Sequence, residues 1–236
     1  MNRSATSIDI LIPSFRGERY LPLCLTSLAR SAFRNFKVYV AVEGVFQELD
    51  FVYHLVQSLD LPVETNVEET RLGLAANRRR LLDMGESDLV LWLDDDVLVS
   101  EDSIDRLLEP IEGLGRDFSI ITGVGSNLYG FPKVACGLGL TLCKRSILVE
   151  DEVLQHDFGL NTGEDWLWTA RIVYKTGLPV KFVPVSIYHL GENRRRKRYT
   201  REWDSSMFAT YTSRDFYEEN KYELELSYPV YNYIDY

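Results

Sequence analysis

Residues 89–93, Leu-Val-Leu-Trp-Leu, form an unbroken apolar run that ends in three consecutive carboxylates, Asp94, Asp95 and Asp96. A run of this length without polar alternation predicts a strand buried on both faces, as in a parallel sheet covered by helices. Open α/β sheets bind ligands in the crevice beyond the C-terminal ends of their strands, which is where the three acids fall. Adjacent like charges repel, and an ionised carboxylate is costly to desolvate without a partner. A divalent cation answers both costs, and oxygen ligands favour Mg²⁺ or Mn²⁺, ions that bridge carboxylates to substrate phosphates. A solvated acidic turn capping the helix that begins near Ser100 would use the same residues without any ligand, so the remainder of the chain has to decide.

Upstream, Ile8 to Ile12 reads as a first strand ended by Pro13, which cannot donate to a ladder. A helix follows from about Tyr20 with Pro22 in its first turn, placing Leu21, Leu25, Leu28 and Ala32 on one face. Phe36 to Val42 reads as a second strand closed by Glu43-Gly44, Leu49 to Leu59 as a helix, and Leu61 to Asn66 as a short edge strand. This β-α-β-α-β order implies parallel strands with right-handed crossovers. In the segment Arg71 to Leu82, Gly73 suits a loop-to-helix junction. Its four arginines (71, 78, 79 and 80) would serve an anionic ligand or form a solvated helix face, Arg79 and Arg80 more so than Arg78. Downstream, Ile104 to Ile111 reads as helix, with strands at Phe118 to Gly123 and Val134 to Cys143. Gly137 and Gly139 leave room for a close approach to the second of these. Asn161 to Trp166 opens a helix that runs to about Thr176 and ends at Gly177, and Val180 to Val185 is a strand leading to His189. Glu164 and Asp165 would complement that helix's dipole whatever else they do.

The chain of 236 residues carries a net charge of −10, which argues against a general nucleic-acid-binding surface. No apolar run approaches the length of a membrane span, and residues 1–7 lack a signal-peptide core. Cys24, Cys136 and Cys143 show neither an even framework nor metal-type spacing, so reduced core thiols and a cytoplasmic location are expected. Composition shifts near residue 191: Arg194 to Arg198 are five consecutive basic residues, and residues 211–236 hold seven of the fourteen tyrosines. The expected organisation is one domain over residues 1–190, divided near residue 97, followed by an appendage over 191–236.

Individually weak, these features gain weight from their order: Pro13-Ser14-Phe15-Arg16 after the first strand, Glu43-Gly44 after the second, then Arg71-x-Gly73-x-x-x-Asn77-Arg78. Asp94-Asp95-Asp96, Gly163-Glu164-Asp165 and His189 complete the series. Together they resemble the family 2 glycosyltransferases of the GT-A fold, over roughly residues 7 to 190. The resemblance implies an α/β fold, a Rossmann-like three-layer α/β/α sandwich around a mostly parallel mixed sheet. It implies a metal-dependent, inverting transfer of a sugar from a nucleoside diphosphate sugar, UDP-linked by expectation, to an acceptor hydroxyl of a glycan, lipid or protein-linked saccharide. By the family pattern Pro13, Ser14, Arg16, Glu43, Arg71, Gly73, Asn77, Asp94 and Asp95 line the nucleotide-sugar site. Asp96 and His189 would hold Mn²⁺ or Mg²⁺, and Asp165 would be the general base. The chain departs from the pattern after the second strand, where Glu43 stands for the usual Asp-Asp-Gly-Ser acid, and in the transposed Asn77-Arg78.

Three other readings remain. Leu-Trp-Leu-Asp-Asp-Asp is also similar to the first motif of haloacid-dehalogenase-type phosphatases, although Leu98 stands where that motif wants Thr or Val. A nucleotidyltransferase would use the first half but not Glu164, Asp165 and His189, and a non-catalytic nucleotide-sugar-binding protein would use none of the chemistry. Residues 194–198 would serve as a lid over the diphosphate or as a membrane- or partner-facing patch, and oligomerisation stays open. Tyr129, Trp166 and Trp168 offer rings that stack on sugars or pack in a core.

Overall fold

A computed structural model describes residues 6–15, 17, 20–44, 54, 56–114, 118, 120–126, 132–134, 139–149, 168, 172, 176–178 and 180–190. Strand β1 (Ile8–Phe15) lies between β2 (Phe36–Glu43) and β4 (Leu89–Leu93), and β3 (Val63–Glu68) forms the edge beside β2. These four strands are parallel. Beyond β4 the sheet becomes mixed: β8 (Leu140–Lys144) runs antiparallel to both β4 and β6 (Ile120–Ser126). Strand β7 (Pro132–Val134) is antiparallel to β6, and β9 (Val180–Pro184) is parallel to it. The result is the mostly parallel mixed sheet expected.

Alternation along the strands assigns two cores. Ile8, Ile10 and Ile12 of β1 and Leu89, Leu91 and Leu93 of β4 pack with helix α1 (Leu21–Leu28) and helix α3 (Ser103–Leu114). Leu11 of β1 and Val90 and Trp92 of β4 pack with helix α2 (Leu74–Leu82) and with Leu148 of helix α4 (Arg145–Val149). Helices thus cover both faces, which is why β4 is apolar at every position. Among the described residues no helix is long and apolar enough to cross a membrane.

Three expectations are corrected, and one open alternative is decided. Strand β1 continues through Pro13 to Phe15. Ile8 donates its N–H toward the β2 side, so by alternation Pro13 faces β4, where the ladder already ends at Leu11↔Trp92, and its missing N–H costs nothing. Helix α1 ends at Leu28, leaving Ala32 exposed beyond it. The single strand expected over 134–143 is two pieces, β7 and β8, both on the edge of β6 opposite β9. Trp168 is fully buried in the second core, which rules it out as a sugar-stacking surface. Trp168, Ile172 and Thr176 are helical at four-residue spacing, and Gly177 follows at φ 60°, a left-handed conformation suited to a helix C-terminus. Within the span expected to be the second helix, residues 54 and 56–58 are helical.

At the N-terminal end of the sheet, buried Asp9 is held by Arg145. One guanidinium nitrogen contacts its Oδ2 at 2.6 Å, and Ser87 donates its backbone N–H and hydroxyl to the same carboxylate, each at 2.8 Å. The remaining Arg145 nitrogens donate to the carbonyls of Leu82 and Ser87. This cluster ties α2, β1 and α4 together at the pole opposite the acid triplet.

Candidate active site

Beyond Leu93 the acids inherit the alternation of β4. Asp94 follows Trp92 onto the α2 face, where Arg78 places a guanidinium nitrogen 3.2 Å from Asp94 Oδ1 and stacks 5.5 Å over the Trp92 ring. Arg78 is 1% exposed, so of its two readings the solvated face is excluded, while Arg79 is exposed as expected. A buried guanidinium requires a counter-charge, and Asp94 provides it. The Asp94 N–H donates to the Gly139 carbonyl, continuing the β4–β8 ladder. A Cβ at position 139 would lie 3.0 Å from Asp94 Oδ2, so the close approach foreseen for this glycine is to Asp94 itself.

Asp95 follows Leu93 onto the α1 face, which it shares with Ile12 and Ser14. The Ser14 hydroxyl donates to Asp95 Oδ2 at 2.5 Å. Burial pushes the Asp95 carboxyl from an ordinary value of 3.8 up to about 7. The Ser14 bond opposes the rise, and the neighbouring charges of Asp96 and Asp94 add to it. Below it, Cys24 donates weakly to the Asp94 carbonyl at 3.7 Å, and burial followed by the Asp95, Asp96 and Asp94 charges pushes its thiol up. Cys24 therefore stays a protonated core residue, as does Cys143, which burial also pushes up.

The third acid is tied to a distant segment. Strand β5 (Val97–Val99) pairs antiparallel with β10 (Ile187–His189), setting His189 opposite Val97, and Leu190 donates its N–H to the Asp96 carbonyl at 2.7 Å. The backbones of Asp96 and His189 are thereby neighbours although 93 positions separate them. Ser103, at the start of α3, bonds the Ser186 carbonyl at 3.1 Å and helps to fix this pairing.

On the other side of Ser14, Glu43 ends β2 with its carboxylate buried, and its Oε2 accepts the N–H groups of Leu72 at 2.8 Å and Gly73 at 3.1 Å. Gly73 has φ 98°, a conformation that favours glycine, and starts α2. Arg71 stacks its guanidinium 4.4 Å over the Phe15 ring at the end of β1. Asn77 is buried; its amide donates to the Ala41 carbonyl at 2.8 Å, and its oxygen accepts from Arg80. Asn77 thus docks α2 onto the strand ends.

The structure therefore brings together Pro13, Ser14, Glu43, Arg71, Gly73, Asn77, Asp94, Asp95, Asp96 and the backbone of His189. Arg16, Glu164 and Asp165 lie outside the described residues, as do Gly137, Tyr129, Trp166 and the basic segment. Arg78 belongs to the matched segment, but the family pattern gave it no role in the site, and the structure gives it one beside Asp94. Its signal was its place on the buried helix face with Ala75, Leu81 and Leu82, where a lone arginine needs an acid.

The Glycosyl transferase family 2 profile matches residues 9–138, more than half of the chain. The chain belongs to this family. It is 30% identical over 105 residues to an uncharacterized glycosyltransferase from Haemophilus influenzae, covering 44% of this chain and 34% of that protein. The chain thus spans about a third of the length of that curated relative. Among solved structures it resembles S. aureus TarS 1-349 at a TM-score of 0.63 and 17% identity, over 79% of this chain and 61% of that one. The same protein in complex with UDP-GlcNAc matches at 0.64 and 18%, over 90% of this chain and 64% of that one. The mannosyltransferase PcManGT from Pyrobaculum calidifontis, in complex with GDP-Man and Mn²⁺, matches at 0.65 and 14%, over 97% and 75%. At these identities the likeness establishes the GT-A fold.

Proposed function

We propose that the protein is a glycosyltransferase that takes a nucleoside diphosphate sugar, UDP-linked by preference, and transfers the sugar with inversion to an acceptor hydroxyl of a saccharide or glycoconjugate. The observation that carries this reading is the convergence of Ser14, Arg78 and the three acids at the C-terminal ends of β1 and β4, beside the β5–β10 pairing. Residues 1–97 form the donor half and 98–190 the acceptor half. Ser14, Glu43, Arg71, Gly73, Asn77, Asp94 and Asp95 build or position the nucleotide side, with Pro13 and Arg16 in the adjoining segment.

The donor set suits a hard divalent cation. The Leu190 N–H bond to the Asp96 carbonyl sets Asp96 beside the strand that carries His189, so Asp96 is the acid assigned to Mn²⁺ or Mg²⁺, with the imidazole of His189 as second ligand. Burial, with the Asp96 and Asp94 charges adding to it, raises the Asp95 carboxyl, and a cation bound at this turn would offset both. When bound, the ion supplies charge neutralisation at the departing diphosphate. Asp165 accepts the proton of the acceptor hydroxyl as that oxygen attacks the anomeric carbon from the face opposite the diphosphate, giving inversion in one displacement.

The test incubates the full chain with Mn²⁺ and a panel of UDP, GDP and dTDP sugars and follows release of the nucleoside diphosphate. Release that is lost in Asp96→Ala supports the transferase, and acceptor-dependent release lost in Asp165→Asn supports the base. No release from any donor, with no thermal shift on adding the nucleotides, sinks the reading.

A further inference from the structure

We propose that Glu43 controls donor affinity as a positioning residue acting through the loop 71–73, rather than by bonding the nucleobase. Glu43 is 3% exposed, and its Oε2 is occupied by the N–H groups of Leu72 and Gly73. Two donors converging on one carboxylate oxygen form a clamp. The clamp is braced on both sides: Gly44 donates its N–H to the Glu68 carbonyl at 3.0 Å, and the Asn77 N–H bonds the Gly73 carbonyl at 3.0 Å. Glu43 thus welds the end of β2 to the loop that opens α2.

What the loop presents is Arg71. Phe15 is 40% exposed, although every other residue of β1 is buried, and the Arg71 guanidinium lies over its ring. An exposed cation stacked on an aromatic, at the strand end next to the acid triplet, suits a planar ring joined to a diphosphate. Leu72 and Gly73 immediately follow Arg71, so loss of their clamp frees the guanidinium from the ring. Glu43 is set back from the solvent by this arrangement and reaches the donor through Arg71. The inference rests on assigning residues 1–97 to the donor, and the experiment separates the two.

Binding of UDP, GDP and dTDP in the presence of Mn²⁺ is measured by calorimetry on the full chain for wild type, Glu43→Ala, Glu43→Gln, Arg71→Ala and the double variant Glu43→Ala/Arg71→Ala. Glu43→Ala should weaken the best-bound nucleotide by about tenfold or more, the loss expected when two hydrogen bonds disappear. Glu43→Gln, which keeps an acceptor oxygen, should recover most of it. The double variant should bind no more weakly than the weaker single variant, and the ranking of the three nucleotides should be the same in all five proteins. Donor KM should rise with kcat little changed. Additive losses, or a changed nucleotide ranking in either Glu43 variant, would mean that Glu43 touches the base and would overturn the proposal. So would wild-type affinity in Glu43→Ala. Should that variant not fold, Glu43→Gln and the surface change Arg71→Ala still decide by ranking. Wild-type protein that binds none of the three overturns the donor assignment and this proposal with it. Amide exchange at Leu72 and Gly73, faster in Glu43→Ala, distinguishes that outcome from failure of the clamp, in which exchange would not change.

Discussion

Replacing Arg78 by Met keeps most of the volume of the stem and removes the charge that balances Asp94. At the observed 3.2 Å separation, an effective dielectric of about 20 gives an attraction of roughly 5 kcal/mol. The Asp94 side chain is 32% exposed while that of Arg78 is only 2% exposed, so water screens the acid's end of the pair. Part of the gain also offsets the desolvation of the guanidinium. A net loss of about 2–3 kcal/mol remains for Arg78→Met, since it leaves Asp94 uncompensated next to Asp95 and Asp96. For a chain of this size that corresponds to a fall in Tm of about 5–10 °C. Thermal and urea unfolding followed by circular dichroism would measure it. The double variant Arg78→Met/Asp94→Asn should regain most of the loss, with a coupling energy of about 1–3 kcal/mol. If Arg78→Met lies within about 0.5 kcal/mol of wild type, or if the two substitutions simply add, the pair does not hold the turn.

The Asp95 carboxyl, raised to about 7 by burial, keeps its proton in the folded chain where the unfolded chain has lost it. Its contribution is therefore full below about pH 4 and drains away as pH rises through 7. Relative to Asp95→Asn, metal-free wild type should lose roughly 2 kcal/mol between those limits, about half the full linkage because the turn is only half-buried. Parallel stability–pH curves for the two proteins would refute this, and added Mn²⁺ should restore wild type most at the alkaline end. Asp9→Asn strands the Arg145 guanidinium in the buried cluster at the other pole and should cost about 3–5 kcal/mol in urea unfolding. Nucleotide affinity, measured where the protein remains folded, should not move. Gly139→Ala puts a methyl against the Asp94 carboxylate, so it should weaken nucleotide binding while changing Tm by less than Arg78→Met. The reverse ranking would show that Asp94 is not constrained from that side.

The chain alone determined the layered architecture and the strand end at which the candidate acids fall. The apolar run Leu89–Leu93 can be satisfied only by burial on both faces, and the acids that end it fall at the strand end whatever the surrounding topology. Gly73 and Gly177 announced the beginning of one helix and the end of another, because both adopt backbone conformations that disfavour a side chain. Tertiary structure decided who meets whom. Periodicity shows that Arg78 and Asp9 lie on buried faces, but not that the first neutralises Asp94 and the second Arg145, 136 positions away. The antiparallel insertion of β8 between β4 and β6, and the β5–β10 pairing that carries His189 to Asp96, depend on register across the sheet. Local propensity contains no term for register. The triplet shows the same division. Its three acids are equivalent in sequence, and only alternation at the end of β4, combined with what each face offers, gives Asp94 an arginine, Asp95 a serine and Asp96 the strand that bears a histidine.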